Sequence, residues 1–350
     1  MLQLQTRRFL LSGVFVSTFL VVCVVKLSCR IVDPPYMADV RALAESAPVV
    51  FRGQVVEVHS VGETTTDSSV ERKIATFQVD RMYRGTVNTE VSLNFAYDWF
   101  MRGNGHYCMD FQPNTYWLVF AVEKDGRLEL SDDCDGALTV SPILGPDLGN
   151  ASWLAQMETD FLAGLADSDP AIRLISIQRL GGLGLASSRD ALHRIIETGN
   201  KEESKWAIYA ALRTGDITVL PKVKELLAEG NLDQPQRAMA LQLQYLSDPA
   251  AEPNLLAILN SANGDLTRKC ALTALGEKLR DPKAVPSLAS HLSDPDHDAR
   301  YLALNGLRNI THENACTLPP NWKEQDVEPQ IEICKSWWEA EGKFEPWPQD

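Results

Sequence analysis

Two hydrophobic patterns divide the chain. Between residues 49 and 140, apolar side chains occur in short runs, several of them alternating, that Gly, Asn, Asp and Pro separate, as in half-buried β-strands. This pattern predicts six strands, at Val49–Val58, Ile74–Met82, Val91–Phe95, Tyr116–Val122, Leu128–Leu130 and Ala137–Val140. The first part of the chain is therefore predicted to be an all-β unit.

From Asp167 onward the apolar positions recur every three or four residues, which is typical of amphipathic helices. This part also repeats itself. A basic residue recurs at intervals of 32, 32, 31 and 32, at Arg173, Lys205, Arg237, Arg268 and Arg300. A proline opens the second helix of three units, at Pro221, Pro253 and Pro286. We therefore predict five helix–turn–helix units.

Together the patterns predict a multidomain fold. Short antiparallel strands in this number suit a closed Greek-key barrel of OB type. Helix pairs of about 32 residues resemble the short bacterial form of HEAT repeats, whose units must stack into an α-solenoid to bury their apolar faces. The predicted parts are residues 1–28 as an export segment, 29–150 as the barrel, 161–312 as the repeats and 313–350 as a capping helix with an aromatic tail. Residues 147–160 join the barrel to the repeats.

Several motifs of the predicted barrel resemble the N-terminal domain of the tissue inhibitors of metalloproteinases and its bacterial relatives. The matching pieces keep their order and spacing between Cys29 and Cys134. They are Asp33-Pro34-Pro35, Val50-Phe51-Arg52-Gly53-Gln54-Val55, Arg81-Met82-Tyr83-Arg84-Gly85, Tyr107-Cys108-Met109-Asp110-Phe111, Tyr116-Trp117-Leu118-Val119-Phe120-Ala121 and Asp125-Gly126-Arg127-Leu128.

The resemblance implies a disulfide. In the family, two early cysteines bridge to two later ones, and the first chelates the zinc of the protease through its free amine and carbonyl. Here Cys29 matches the second early cysteine and would pair with Cys134. Leu27 stands at the first position, which leaves Cys108 without an obvious mate. The chelating cysteine is therefore predicted to be missing.

The N-terminus is predicted to direct export. An apolar run, Phe9–Val25, follows two arginines and precedes Lys26. A cleaved signal peptide and an uncleaved signal anchor both fit this pattern, and lipid attachment is a third alternative.

Disulfides are the expected state of cysteines in an exported chain, and the chain has seven. Cys316 and Cys334 flank the loop before one further helix, predicted over residues 326–342, and are a plausible bridge. The stripe Ile331, Cys334, Trp338 and Glu341 is predicted to pack this helix on the last repeat as a cap.

Charge argues against nucleic acid as a partner. The formal net charge is −14, and only the first 29 residues are basic. Such a chain repels phosphate backbones and anionic membrane surfaces. Membrane contact is predicted only through the N-terminal segment, and a basic protein surface is the expected partner.

Candidate chemistry is sparse. Ser131–Gly136 and the group His291, Asp294, Asp296, His297 and Asp298 contain carboxylates, but an acidic turn and an ordinary inter-repeat turn explain them better than metal sites. His106 and Asp110 flank Cys108, but the family resemblance implies a disulfide position there, so an idle or mispaired cysteine is expected rather than a nucleophile. There is no nucleophile elbow and no phosphate-binding glycine loop. The sequence thus predicts no catalytic residue, no metal, no cofactor and no enzyme.

The predicted function is an extracytoplasmic protein-binding adaptor or scaffold. The second helices of the solenoid are expected to line its concave face, with Arg194, Glu197, Lys222 and Glu225 on it. One alternative is a metalloproteinase inhibitor that binds a protease through Cys29, Arg30 and Ile31, if cleavage exposes a chelating residue. An enzyme with an unrecognised site is the third alternative.

Overall fold

A closed β-barrel comes first in the structure, a computed structural model that describes residues 38–61, 70–98, 111–131, 136–229, 231–262, 264–318 and 327–348. Its strands are β1 Val49–Ser60, β2 Val70–Arg84, β3 Glu90–Asp98, β4 Tyr116–Lys124, β5 Arg127–Leu130 and β6 Ala137–Thr139. The strand order is β1-β2-β3-β5-β4-β6, and pairing of β1 with β4 closes a ring of five strands. All six predicted strands and the barrel are confirmed.

One pairing differs from the predicted antiparallel arrangement. Strands β3 and β5 run parallel, with Leu93 opposite Leu128. Strand directions cannot alternate all the way round a ring of five, so closure requires one parallel pair. The hairpin between β4 and β5 turns at Asp125 and Gly126, whose φ angles are 51° and 73°, as in the tight turns that favour Asp-Gly.

Twelve helices are described. They are α1 Val40–Ser46, α2 Trp153–Gly164, α3 Pro170–Leu183, α4 Arg189–Thr198, α5 Lys201–Arg213, α6 Leu220–Leu227, α7 Gln234–Leu243, α8 Glu252–Ser261, α9 Asp265–Thr273, α10 Val285–Ser290, α11 His297–Thr311 and α12 Glu328–Ala340. A π-helical turn, Ala274–Leu279, continues α9. Helices α3, α5, α7, α9 and α11 stack on one another in order, which confirms the predicted solenoid.

Prolines open the second helices as predicted, since Pro221, Pro253 and Pro286 lie in the first turns of α6, α8 and α10. Before the second-helix position, every unit also has a short 3-10 turn that the sequence analysis missed. These turns are Ala186–Ser188, Ile217–Val219, Pro249–Ala251, Pro282–Ala284 and Asn314–Cys316. Each ends on a buried residue. The spacing of these turns therefore continues the repeat as far as Cys316, although the repeats were predicted to end at residue 312.

Helix α12 confirms the predicted C-terminal helix. It begins at Glu328, about one repeat after the start of α11 at His297, and it buries Ile331 and Cys334. Trp338 packs partly buried against the same core, whereas Glu341 is exposed. Within the described residues, no helix combines the length and the apolar character needed to cross a membrane.

Barrel and solenoid share one hydrophobic core. Val50 and Phe120 of the barrel belong to the same buried cluster as Val40 of α1, Met157 of α2 and Ile177 of α3. Helices α1 and α2 were missed in the sequence, although both have capping residues at their starts. A second, smaller cluster fills the barrel, where aromatic rings pack edge to face with Phe111.

Candidate functional site

A buried carboxylate lies at the junction between the barrel and the first helix of the solenoid side. Asp160 of α2 is 3% exposed. The Tyr83 hydroxyl at the end of β2 donates a hydrogen bond of 2.6 Å to it, and the Gly145 amide donates another of 2.9 Å. Arg81 Nε lies 3.2 Å from the same carboxylate. Three separate segments are therefore joined at one side chain.

Arg52 of β1 extends this network, with its guanidinium over the ring of Tyr116. Its buried guanidinium pairs with Asp80 and also donates to the carbonyl oxygen of Ser141. The Ser141 hydroxyl donates 3.0 Å to Asp167, which lies just before α3. The network thus runs from β1 across the linker to the first repeat.

Two arginines cross the junction from the helical side. Arg179 of α3 is buried and donates to the carbonyl oxygen of Thr139 at 3.3 Å. Burial lowers the pKa of Arg179 to about 10, so the guanidinium keeps its charge at neutral pH. Arg213 of α5 donates to the carbonyl oxygen of Ala38 at 3.3 Å.

Burial dominates the electrostatics of the junction. It raises the pKa of the Asp160 carboxyl, against the hydrogen bond from Tyr83 and the charge of Arg81. Burial also raises the pKa of Asp80, against the charge of Arg52. For Tyr83, burial and the charge of Asp160 together raise the pKa well above its ordinary value of 10. Tyr83 is therefore a neutral hydrogen-bond donor at neutral pH.

A cleft of about 430 Å³ opens beside this network, within the size range of ligand-binding clefts. It is lined by Asp80, Arg81, Met82, Tyr83, Asp147, Gly149, Ala151, Trp153 and Gln156. The linker that contributes to it carries three exposed apolar side chains, Ile143, Leu144 and Leu148, at 37%, 37% and 40% exposure. Among the described residues, this cleft with its apolar linker is the candidate binding site.

The repeating basic residues of the solenoid form ion pairs between successive units. Their partners lie near the starts of the next first helices, and four such pairs are Arg173–Glu203, Lys205–Asp233, Arg268–Asp294 and Arg300–Glu328. Arg237 departs from the series, since it donates to the carbonyl oxygen of Leu232. In the sequence these residues served only as markers of the repeat. The acidic residue that lies 26 to 30 positions downstream of each paired one was the signal for the ion pairs.

The structure joins Cys316 to Cys334, the pair for which a bridge was suggested, with the two Cα atoms 4.7 Å apart. The other cysteines named as bridge candidates, Cys29 and Cys134, lie outside the described residues. Arg30, Ile31 and Cys108 also lie outside them. The Cys29–Cys134 bridge and the inhibitory segment stay predictions.

The acidic group at the turn before α11 is held by basic side chains. Asp294 pairs with Arg268, whereas Asp296 and Asp298 pair with Lys269. Asp296 also caps α11, as an inter-repeat turn requires. No group of His, Cys, Asp or Glu side chains suited to a metal ion occurs in the part of the chain that the structure describes. Most of the other acidic turn, 132–135, lies outside that part.

The four residues predicted on the binding face are exposed, on two second helices. Arg194 and Glu197 lie on α4, and Lys222 and Glu225 lie on α6. The two helices are tied by His193 Nε2, which lies 2.6 Å from Oδ2 of Asp216, the residue that caps the turn before α6.

Comparison with known proteins finds similarity to HEAT repeats within the helical part. A family profile described as HEAT repeats matches residues 233–308. No curated protein matches the chain. A similar solved structure is the complex of CpcE and CpcF of phycocyanin lyase from Nostoc sp. PCC7120, at 20% identity. The match covers 50% of this chain and 70% of that chain, with a TM-score of 0.36.

This comparison corrects one prediction. The absence of catalytic motifs predicted that the chain is not an enzyme, but the similar solved structure is of a phycocyanin lyase. The prediction that the chain is not an enzyme conflicts with this finding and is withdrawn. The likeness is too distant to carry an activity, a substrate or a partner over to this chain.

Proposed function

We propose that the chain is a protein-binding adaptor in which the barrel and the solenoid present their surfaces as one rigid body. One observation carries this proposal: the two parts share a hydrophobic core, and Asp160 is held there by Tyr83 and Gly145. A surface that is already ordered loses less conformational freedom on binding. The junction therefore favours a scaffold over two loosely linked modules.

The second helices supply the binding surface in this proposal. Helices α4 and α6 bury their apolar side chains and expose charged ones, among them Arg194, Glu197, Lys222 and Glu225. Solenoids of this kind bind through extended surfaces, where buried area and charge complementarity decide affinity and partner choice. The net charge of −14 favours a basic partner.

We also propose an extracytoplasmic location. Its support is the basic and apolar N-terminal pattern and the Cys316–Cys334 disulfide, because disulfides persist mainly in oxidising compartments. Cell fractionation with protease protection tests the location. Recovery of full-length protein in the cytoplasmic fraction, with Cys316 and Cys334 reduced, would contradict it.

Site-specific photo-crosslinking in the native host tests the adaptor. A photoreactive residue at Glu225 of α6 is expected to give discrete protein adducts, and the pair Lys222→Glu with Glu225→Lys is expected to weaken them. The matched control places the photoreactive residue at Asp125, in the exposed hairpin between β4 and β5. Equal adducts at both positions, or none at Glu225, would refute the proposal.

The resemblance of the barrel to the metalloproteinase-inhibitor domain supports a second function. It depends on Cys29 becoming the first residue of the mature chain. N-terminal sequencing of the mature protein separates the two functions: a start at Cys29 favours the inhibitor, and an intact Met1 or a start far upstream removes it.

A further inference from the structure

Strand β2 is longer than its neighbour β3, and its last residues have a partner strand on one side only. Pairing between β2 and β3 ends at Gln78 opposite Glu90, followed by a single bond from the Val79 amide to the Thr89 carbonyl oxygen. Pairing between β2 and β1 continues to Arg84. No described strand therefore pairs with the second edge of Asp80–Tyr83.

This edge borders the cleft at the junction. Asp80, Arg81, Met82 and Tyr83 all line it. The pairing with β1 shifts register at Asp80 and at Tyr83, where side chains no longer alternate regularly, and the cavity follows these four residues along the unpaired strand end. Such an edge offers backbone N–H and C=O groups to another extended chain.

The wall opposite the edge suits side chains of an added strand. It consists of the 147–151 loop with Trp153 and Gln156 of α2. Trp153 is partly buried and provides apolar contact, and the exposed Leu148 lies in the same loop. Gly149 has a φ of +60° and open space around it, which leaves room for a passing backbone.

Charge around the edge favours a basic occupant. Arg81 directs its Nη2 to the Gly145 carbonyl oxygen at 2.9 Å and its Nε toward Asp160. The Asp147 carboxylate accepts a hydrogen bond from the Gly149 amide but pairs with no basic side chain among the described residues. Asp80 and Arg81 are each held in an ion pair, with Arg52 and Asp160, so Asp147 supplies the negative charge that is open to an occupant.

We propose that an extended, basic segment of a partner protein binds here by adding a strand to the edge Asp80–Tyr83. The backbone of the segment hydrogen-bonds to β2, a lysine or arginine meets Asp147, and an apolar residue packs on Trp153. Strand addition draws affinity from main-chain bonds and specificity from alternate side chains. This inference rests on the proposed protein-binding function and names a second contact for it.

The buried network behind the edge holds it in place. Tyr83 and Arg81 are both bound to Asp160, and Asp80 is paired with Arg52. The end of β2 is thus ordered before a segment binds, so less conformational entropy is lost on binding.

Four hexapeptides test the proposal on the full chain. The first alternates lysine and valine, and the second alternates glutamate and valine. The other two are the lysine peptide with N-methyl groups on alternate residues, one in each register. Binding is read by hydrogen exchange at the amides of residues 80–83 and by the part of the tryptophan fluorescence change that Trp153→Phe removes, since the chain has eight tryptophans. The lysine peptide is expected to bind and to slow hydrogen exchange at residues 80–83. The glutamate peptide is expected to bind at least roughly tenfold more weakly, and so is the N-methylated peptide whose methyl groups block the hydrogen bonds to β2.

Asp147→Lys is expected to weaken binding of the lysine peptide by roughly tenfold. The matched control, Glu123→Lys, changes the net charge equally at an exposed position of β4 and is expected to leave binding unchanged. Equal binding of all peptides, no slowing of exchange at residues 80–83, or equal effects of the two variants would each overturn the proposal. The two proposals can fail independently. If the adaptor proposal is wrong and this one is right, Glu225 gives no protein crosslinks but the lysine peptide still binds.

Discussion

Tyr83 and Asp160 are joined by a hydrogen bond of 2.6 Å between the end of β2 and the helix α2. This bond connects the barrel to the helical part through two side chains that are 77 positions apart in sequence. Since the acceptor is a buried carboxylate, the bond is expected to contribute more than a neutral surface bond.

A double-mutant cycle on this pair tests the junction. Tyr83→Phe is expected to lower the free energy of unfolding by about 1.5–3 kcal/mol, because it leaves a buried carboxylate with one donor fewer. Asp160→Asn and the double variant complete the cycle, with an expected coupling energy of about 1–3 kcal/mol. Asp125→Asn, in an exposed turn whose positive φ suits Asn, is the control and is expected to be neutral. Strictly additive effects in urea unfolding would show that the bond does not hold the junction.

The ion pairs between repeats predict different costs at equivalent positions. Arg268→Ala removes the ion-pair partner of Asp294, whose side chain is 4% exposed. This variant is expected to lower the free energy of unfolding by about 3 kcal/mol. Arg237 occupies the same position one repeat earlier but donates to a backbone carbonyl and is exposed. Arg237→Ala is therefore expected to cost less than about 1 kcal/mol. Similar losses for the two variants in thermal or urea unfolding would contradict a role for these pairs in stacking.

Strands and repeats could be predicted because their signals are local. Alternation over Tyr116–Val122 and the recurrence from Arg173 to Arg300 need no knowledge of distant residues. The junction could not be predicted in this way. Arg52, Tyr83 and Asp160 come from three segments, and only the barrel register and the position of α2 bring them together.

The close packing of α9 on α11 could not be predicted either, because it also depends on residues that are distant in sequence. Gly276 lies in the π-helical turn after α9, and a Cβ atom there would lie 2.5 Å from Cα of Gly306 on α11. In sequence, each of these residues is an ordinary helical glycine. Their contact depends on how two repeats stack.

Gly276→Ala is expected to destabilise the chain by about 1–3 kcal/mol, because α9 and α11 would have to separate. Gly264→Ala is the matched control, since nothing lies within 4 Å of a Cβ atom there and its φ of −105° suits any residue. It is expected to cost less than about 1 kcal/mol. Chemical unfolding followed by circular dichroism measures both, and an equal effect of the two would show that the contact can relax.

The Cys316–Cys334 bridge is expected to stabilise the C-terminal end of the solenoid. It closes a separation of 18 residues, for which replacing both cysteines by serine is expected to cost about 3 kcal/mol. Dithiothreitol should destabilise the parent chain by a similar amount. In the double serine variant, any shift that dithiothreitol still causes reports other disulfides, and non-reducing peptide mapping then shows whether Cys29 pairs with Cys134. An unchanged stability of the serine variant would contradict the stabilising role.

Asp216 predicts a pH-dependent link between α4 and α6. Although burial alone raises the pKa of this carboxyl, hydrogen bonds from Thr218 and His193 outweigh it and place the pKa below the ordinary value of 3.8. The folded state therefore binds the proton less tightly than the unfolded state. The resulting stabilisation is full above pH 3.8 and is lost as the pH falls through the lowered folded pKa.

Asp216→Asn keeps an acceptor for Thr218 but removes the charge that faces His193. At pH 5 the variant is expected to be less stable than the parent chain by about 1–2 kcal/mol. The gap should narrow as the pH falls toward 3 and below, because the parent carboxyl then takes up a proton and loses its advantage. Asp190→Asn, an exposed acid on α4, controls for the loss of one negative charge. A gap that stays constant across this range in urea unfolding would show that the His193–Asp216 contact does not depend on the charge of the carboxylate.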